Sequence, residues 1–136
     1  MSVSIPESHQ WLLEDVLVAK LGTLMPDGPP QVHNIWFDYD GQYIRINTAE
    51  GRQKDKNLRD RPYATVLLVA PDNPYFYLEL RGEVAERVMG PEADAHVGTL
   101  AKRYLGQESF EAPGEVRVLY KIEPKHAVTY GEQEDA

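Results

Sequence analysis

Cysteine is missing from all 136 residues, and that absence excludes a disulfide framework, a thiolate metal site, a redox dithiol and a cysteine nucleophile together. Long apolar runs are missing too. The first residues, Met-Ser-Val-Ser-Ile-Pro-Glu, place no basic region ahead of an apolar one, so neither a signal peptide nor a spanning helix is expected and a cytoplasmic protein is the default. Positive charge is scarce: 14 Lys and Arg stand against 22 Asp and Glu, a formal charge of -8. Such a balance lacks the broad positive field that displaces counterions from nucleic acid or an anionic membrane, so neither partner is expected. No Gly-rich dinucleotide fingerprint follows a strand, and there is no P-loop, zinc-protease helix or Gly-x-Ser-x-Gly elbow. The histidines at 9, 33, 96 and 126 are scattered without metal-ligand spacing, so no metal is expected.

Against that acidic background one stretch stands out. Residues 52–61 carry Arg52, Lys54, Lys56, Arg59 and Arg61 against only Asp55 and Asp60. The cluster follows a strand-like run, Gln42 to Thr48, and opens a short helix expected from Gly51 to Arg59. A helix start presents unpaired N–H groups and the positive end of its dipole, which suits an anion. Arg52, Lys56 and Arg59 share a helical face, whereas Lys54 lies about 160° round from Lys56 at ~100° per residue. One small anion therefore cannot meet all five. Arg52 and Lys54, with the Thr48 hydroxyl, are the expected phosphate clamp, and the alternative is a solvated basic face paired with surface carboxylates.

The rest of the chain reads as short strands joined by turns. An amphipathic helix is expected over Ser8–Val16 with Ser8 as N-cap, then strands over Val16–Met25 and Gln31–Tyr39, with Asp40-Gly41 as a two-residue hairpin signal and Tyr43–Thr48 as the returning strand. Tyr63–Val69 and Tyr75–Val88 follow as strands around the turn Pro71-Asp-Asn-Pro74; Gly90-Pro91 opens a second helix running to Gly106; Val116–Ile122 and a weaker piece, Ala127–Tyr130, complete the strands. The expected class is mainly β, about six antiparallel strands forming a barrel with a few helices, in one domain spanning 1–136 whose acidic end, 130–136, is frayed.

Along Gln31–Asp38 neither strand face is cleanly apolar. Asn34 in a central strand would be costly unless bonded, so Asn34 and Gln31 are candidates for the polar edge of a planar heterocycle, with Trp36 alongside; a satisfied core Asn beside a packing Trp is the alternative. Tyr75 and Tyr77 share one face at a strand start, where aromatics stack on a ligand, seal a subunit contact or simply pack. A phosphate clamp, amide groups for a ring edge and no acid–base or nucleophile constellation suit a protein whose cofactor performs the chemistry, or a binding module with no reaction.

The ordered set Leu21–Gly28, Pro30-Gln31, Asn34–Phe37, Asn47–Arg59 with its Gly-Arg-x-Lys-x-x-Asn-Leu centre, Pro71–Tyr75, Glu79–Gly82 and Ala101–Gly106 resembles the pyridoxamine 5′-phosphate oxidase-like split-barrel proteins, and within them the flavin/deazaflavin oxidoreductases that use coenzyme F420. The resemblance spans about Leu13 to Val128. It implies a homodimer of split barrels with cofactor grooves at the subunit interface. It also implies that Arg52 and Lys54 bind the cofactor phosphate with Thr48 and Asn57 close by, that the strand from Gln31 to Trp36 lines the ring, and that Tyr75 and Tyr77 approach from the partner. The implied activity is hydride transfer from reduced F420 to an electron-poor small organic substrate, with Lys56, Arg59 and Arg61 available to the polyglutamate tail and no side chain assigned as catalytic. FMN in the same groove is the alternative cofactor, and a non-catalytic flavin or F420 carrier, or a haem- or flavin-binding sensor, is the alternative class. The chain departs from the vitamin-B6 oxidase itself in being shorter and in lacking that enzyme's substrate-phosphate residues near the C-terminus, so pyridoxamine phosphate oxidation is not implied.

Overall fold

The computed structural model describes residues 3–132. Its elements, in chain order, are α1 (Glu7–Glu14), β1 (Ala19–Leu24), β2 (Pro30–Ile35), β3 (Asp38–Tyr39), β4 (Ile44–Ala49), α2 (Gln53–Asp60), β5 (Tyr63–Ala70), β6 (Asn73–Met89), α3 (Pro91–Leu105) and β7 (Arg117–Tyr130). Seven strands make one wholly antiparallel sheet in the order β2-β1-β5-β6-β7-β4-β3, curled so that one face closes on a core and the other faces outward.

Period-two alternation drives the curl. In β5 the residues Ala64, Val66, Leu68 and Ala70 are buried while Tyr63, Thr65, Leu67 and Val69 point outward. Opposite them Phe76, Leu78 and Leu80 of β6 join Val118, Tyr120 and Ile122 of β7, and α1 closes the interior with Leu12 and Leu13. Each side chain of this size contributes about 1.5–3 kcal/mol when buried.

Four expected boundaries move, each for a physical reason. The strand expected over Gln31–Tyr39 divides at Trp36-Phe37, because Tyr104 of α3 takes over the backbone there: its hydroxyl accepts the Phe37 N–H (3.2 Å) and donates to the Leu17 carbonyl (2.5 Å). Asp40-Gly41 lies in a four-residue loop closed by Tyr39 and Ile44, since Asp40 Oδ1 accepts the N–H groups of both Gln42 (2.9 Å) and Tyr43 (2.6 Å). The two C-terminal pieces are one strand, β7, kinked where Pro124 faces Gly82 at a register shift. A Cβ at Gly82 would sit 2.6 Å from the Glu123 carbonyl, so the close approach needs glycine. Finally, Ser8 is not a cap: α1 starts after Pro6 without a side-chain cap, and the Ser8 hydroxyl meets His9 Nδ1 at 2.9 Å. Tyr130, where the expected extended piece and the expected frayed end overlap, ends β7; residues 133–136 lie outside the described residues.

The helix start expected at Gly51 forms two residues later, with Arg52 as its extended N-cap. Asp55, 0 % exposed, fixes it there. Its carboxylate reaches back to accept the Gly51 N–H (3.0 Å) and accepts from Arg87 (3.1 Å) and the Tyr120 hydroxyl (2.5 Å), joining α2 to β6 and β7. Gly51 turns into this arrangement at φ +89°, a conformation that favours glycine.

Burial pushes the Asp55 carboxyl up, but bonds from Tyr120, the Gly51 N–H and Arg87 outweigh it and hold it below the ordinary 3.8. The stabilisation is therefore complete above the unfolded value and is lost as pH falls through the folded one. Asp55→Asn should cost about 3–5 kcal/mol at pH 7, as breaking a buried pair does. Denaturant unfolding at pH 7 and pH 3 should show a smaller acid loss in the variant than in the wild type; an equal loss in both would place the acid sensitivity elsewhere.

Candidate functional site

Where β2 ends, the chain leaves the sheet edge and a cavity of ~250 Å³ opens between that edge, β4, α2 and α3. Asn34, Ile35 and Trp36 form one wall, Val97 and Leu100 of α3 another, and Asn47, Lys54 and Arg117 supply the polar end, with Phe110 over it. Trp36 is held flat by Tyr104, the rings 5.3 Å apart and 9° from parallel.

The polar end is strongly cationic. Arg117 donates from Nε to Asn47 Oδ1 (2.9 Å) and from Nη1 to Glu115 Oε1 (2.9 Å), and it stacks 5.2 Å from the Phe110 ring. The other Glu115 oxygen accepts from Arg52 Nη2. Lys54 forms no ion pair among the described residues, and burial, then repulsion from Arg52 and Arg117, lowers its pKa below the ordinary lysine value. An ammonium with its charge unanswered beside two guanidiniums is a receptor for an anion.

Behind Arg117 a second layer fixes its aim. Asn47 Nδ2 donates to the Ala93 carbonyl (3.0 Å) and to His96 Nδ1 (3.2 Å), and His96 Nε2 donates to Asp38 Oδ1 (2.9 Å). Asp38 is gripped by Arg45 through Nε (3.0 Å) and Nη2 (2.6 Å). Burial raises the Asp38 pKa, but the bonds from His96 and Arg45 prevail and the net shift is downward.

Asn34, Trp36 and Lys54 thus share one cavity, and Arg52 joins them through Glu115. The other expected residues lie apart. Gln31 pairs with Thr23 across β1 and faces the opposite side of β2 from Asn34, as residues three apart in a strand must. The premise that Asn34 sits in a costly central position also fails, because β2 is an edge strand and Asn34 is exposed. Thr48 is 1 % exposed and points to the barrel interior with Ile46 and Val118, on the far side of β4 from Asn47; its Oγ1 has no partner among the described residues. Asn57 is 0 % exposed and fully engaged: it donates to Thr23 Oγ1 (3.0 Å) and accepts from Gln53 (2.8 Å) and Arg61 (3.2 Å), so it pins α2 to β1. Tyr75 is exposed, and Tyr77 stacks on Tyr130 at 5.6 Å; neither lines the cavity. Of the expected tail cations, Arg59 leans on Asp55 at 3.8 Å and Arg61 donates to the Leu24 carbonyl at 2.7 Å, leaving Lys56 exposed without an ion pair among the described residues.

Asn47, Glu115 and Arg117 are the residues that sequence reasoning missed. Their signal was faint: Glu115 and Arg117 are two apart where the last strand begins, hence on one face, but nothing in the chain order brings them to α2.

The site is thus a cavity at a barrel edge with an aromatic wall and a cationic end. The pyridoxamine 5′-phosphate oxidase family profile matches residues 5–130. The chain belongs to that flavin-binding split-barrel family. An F420 reductase shares 36 % identity over 91 % of this chain and 98 % of its own, with a TM-score of 0.81. A conserved hypothetical protein from Mycobacterium tuberculosis is 25 % identical over 95 % of this chain and 86 % of its own, at a TM-score of 0.70. The haem storage protein HutZ from Vibrio cholerae, 12 % identical over 90 % of this chain and 92 % of its own at a TM-score of 0.64, shares the fold alone. No described helix is long and apolar enough to cross a membrane.

The placement of Thr48 generates a test. Thr48→Val removes an unpaired buried hydroxyl while keeping its shape, so thermal unfolding should show no loss and a gain of up to about 1 kcal/mol. Affinity for a phosphate-bearing ligand should not change. A clear fall in that affinity would return Thr48 to the clamp.

Proposed function

We propose that the chain is an oxidoreductase that binds coenzyme F420 in the cavity between the β2 edge and the α2 start, in a homodimer, and reduces an electron-poor small organic substrate. The observation that carries this is the cationic end: Arg52, Lys54 and Arg117 gather beside Asn34 and Trp36, with Lys54 left unpaired. The 36 % identity to an F420 reductase over nearly the whole chain favours the deazaflavin. FMN is the second candidate, because its phosphate would meet the same three cations.

Reduced F420, when bound, supplies a hydride from C5 of its deazaflavin ring. The chain's own part is placement. Lys54, Arg52 and Arg117 would hold the phosphate; Asn34 offers an amide to the polar ring edge; Trp36 offers a flat wall; Val97 and Leu100 keep water from the ring. Holding two reactants at a near-attack distance can supply ~7 kcal/mol or more of the barrier. No carboxylic acid, histidine or tyrosine is among the lining residues, so solvent at the open side is the proposed source of the product's proton.

A single chain encloses too little space for this task. The cavity's ~250 Å³ falls below the roughly 300–1,000 Å³ of drug-sized sites, which supports completion by another surface. A larger apolar concavity of ~620 Å³ on the outer face of β1, β5 and β6, with Val32 59 % and Tyr63 53 % exposed, is the surface offered to a second copy. That second copy is also the route by which Tyr75 and Tyr77 would reach a groove.

Fluorescence titration with F420 and FMN tests the cofactor directly, followed by turnover assays on enones and nitro compounds. Tight FMN binding without F420 binding would sink the deazaflavin assignment, and binding without turnover would favour a carrier. Arg52→Ala and Lys54→Ala should each weaken cofactor binding by roughly 1.5–3 kcal/mol, the scale of a charge-assisted contact. Val32→Glu with Leu67→Glu should convert a dimer to monomer in light scattering and weaken cofactor binding together; a dimer that survives both changes uses another face.

A further inference from the structure

Glu115 stands in an unusual place for a protein that collects cations for an anionic ligand. Its two carboxylate oxygens are shared between Arg52 and Arg117, so the chain already supplies one negative charge inside its own anion site. The position is built into the backbone: the Glu115 N–H donates to the Ala112 carbonyl (3.1 Å), Gly114 turns at φ +82°, and the next carbonyl, Val116, accepts the Glu50 N–H (2.8 Å) at the head of the β4–β7 ladder. Glu115 is thus held between two strands' ends, with 27 % of its side chain exposed.

Donors remain for a ligand while Glu115 stays. Arg117 uses Nε and Nη1 and keeps Nη2; Arg52 uses Nη2 and keeps Nε and Nη1; Lys54 keeps its whole ammonium. An incoming phosphate therefore sits against these donors with the Glu115 carboxylate as its neighbour. Asp94 adds a more distant negative charge at Arg117.

We infer that Glu115 is a charge filter that lowers this site's preference for a doubly charged terminal phosphate relative to a singly charged phosphodiester. It repels a dianion by two units of charge and a monoanion by one. A phosphodiester carries one negative charge near neutral pH, whereas a terminal phosphomonoester, with a second pKa of about 6, carries nearly two. The phosphate of F420 is a diester that continues into its tail, and that of FMN is terminal, so the filter acts unequally on the two cofactors left open above. It rests on that cofactor assignment for its biological meaning but not for its test.

The probes are FMN and its monomethyl phosphate ester, which share a ring and differ by one charge, each titrated into wild type and Glu115→Gln at pH 8. Removing the carboxylate relieves two repulsions in one ligand and one in the other, so a gain of about threefold for the ester implies about tenfold for FMN by Coulomb's law at equal distance. The ratio of the two affinities should shift toward FMN by threefold or more. Glu115→Asp, which keeps the charge and is the control for local refolding, should shift it far less than Glu115→Gln. The same comparison with inorganic phosphate and dimethyl phosphate, followed by phosphorus NMR, reads the filter without any ring. An unchanged ratio in Glu115→Gln, with FMN and F420 still binding, overturns the filter and leaves the cofactor assignment standing. A shifted ratio in a protein that fails to bind F420 supports the filter and overturns that assignment. No response from either probe pair overturns the filter.

Discussion

The Asp55 carboxylate is the interaction on which the site geometry depends. With no solvent contact, it gathers the Gly51 N–H, Arg87 and the Tyr120 hydroxyl, and so locks the entry of α2 against β6 and β7. Placed at the third helical position, it does for the preceding loop what the acidic member of a capping box does for its own cap residue, and it lies at the favourable end of the dipole. Arg52, the N-cap, and Lys54, in the first turn of α2, take their places from the helix entry that Gly51 and Asp55 fix. A buried charge of this kind adds little net stability over an apolar filling, but it specifies one loop geometry.

A second polar chain approaches from the other side. It runs from Arg45 through Asp38, His96 and Asn47 to Arg117, and then through Glu115 to Arg52. Its donors and acceptors assign one another. Because Asn47 Nδ2 donates to His96 Nδ1, the imidazole carries its proton on Nε2 and passes it toward Asp38. The Asn47 carbonyl is then left for Arg117. The two networks share β7, through Tyr120 and Arg117, and both reach the cationic end of the cavity.

Much of the fold was legible in the sequence, because alternation in Tyr63–Val69 and Tyr75–Val88, the Gly90-Pro91 start and the Gly106 stop are local signals with local causes. What escaped was non-local. The break at Trp36-Phe37 depends on a tyrosine 67 residues away. Val116–Ile122 and Ala127–Tyr130 read as separate pieces because the join at Pro124 depends on the glycine opposite it, Gly82. At the site, Arg52 and Lys54 were visible as a charge anomaly, and Asn34 and Trp36 as a strand with no clean apolar face. Glu115 and Arg117 were invisible because β7 reaches the site only through its ladder with β4. Gln31 was grouped with Asn34 against the strand period itself; Thr48 was chosen for its nearness in sequence to Arg52 and Lys54, and Asn57 came from the resemblance, neither of which says which way a side chain faces.

The most direct measurement is a crystal structure of the protein with F420 bound. The phosphate should lie within hydrogen-bond distance, about 3 Å, of Lys54 Nζ and of a free guanidinium nitrogen of Arg117 or Arg52, with the deazaflavin against Trp36 and a second copy of the chain closing the groove. A phosphate seated anywhere else, with Lys54 still unpaired, would contradict the account.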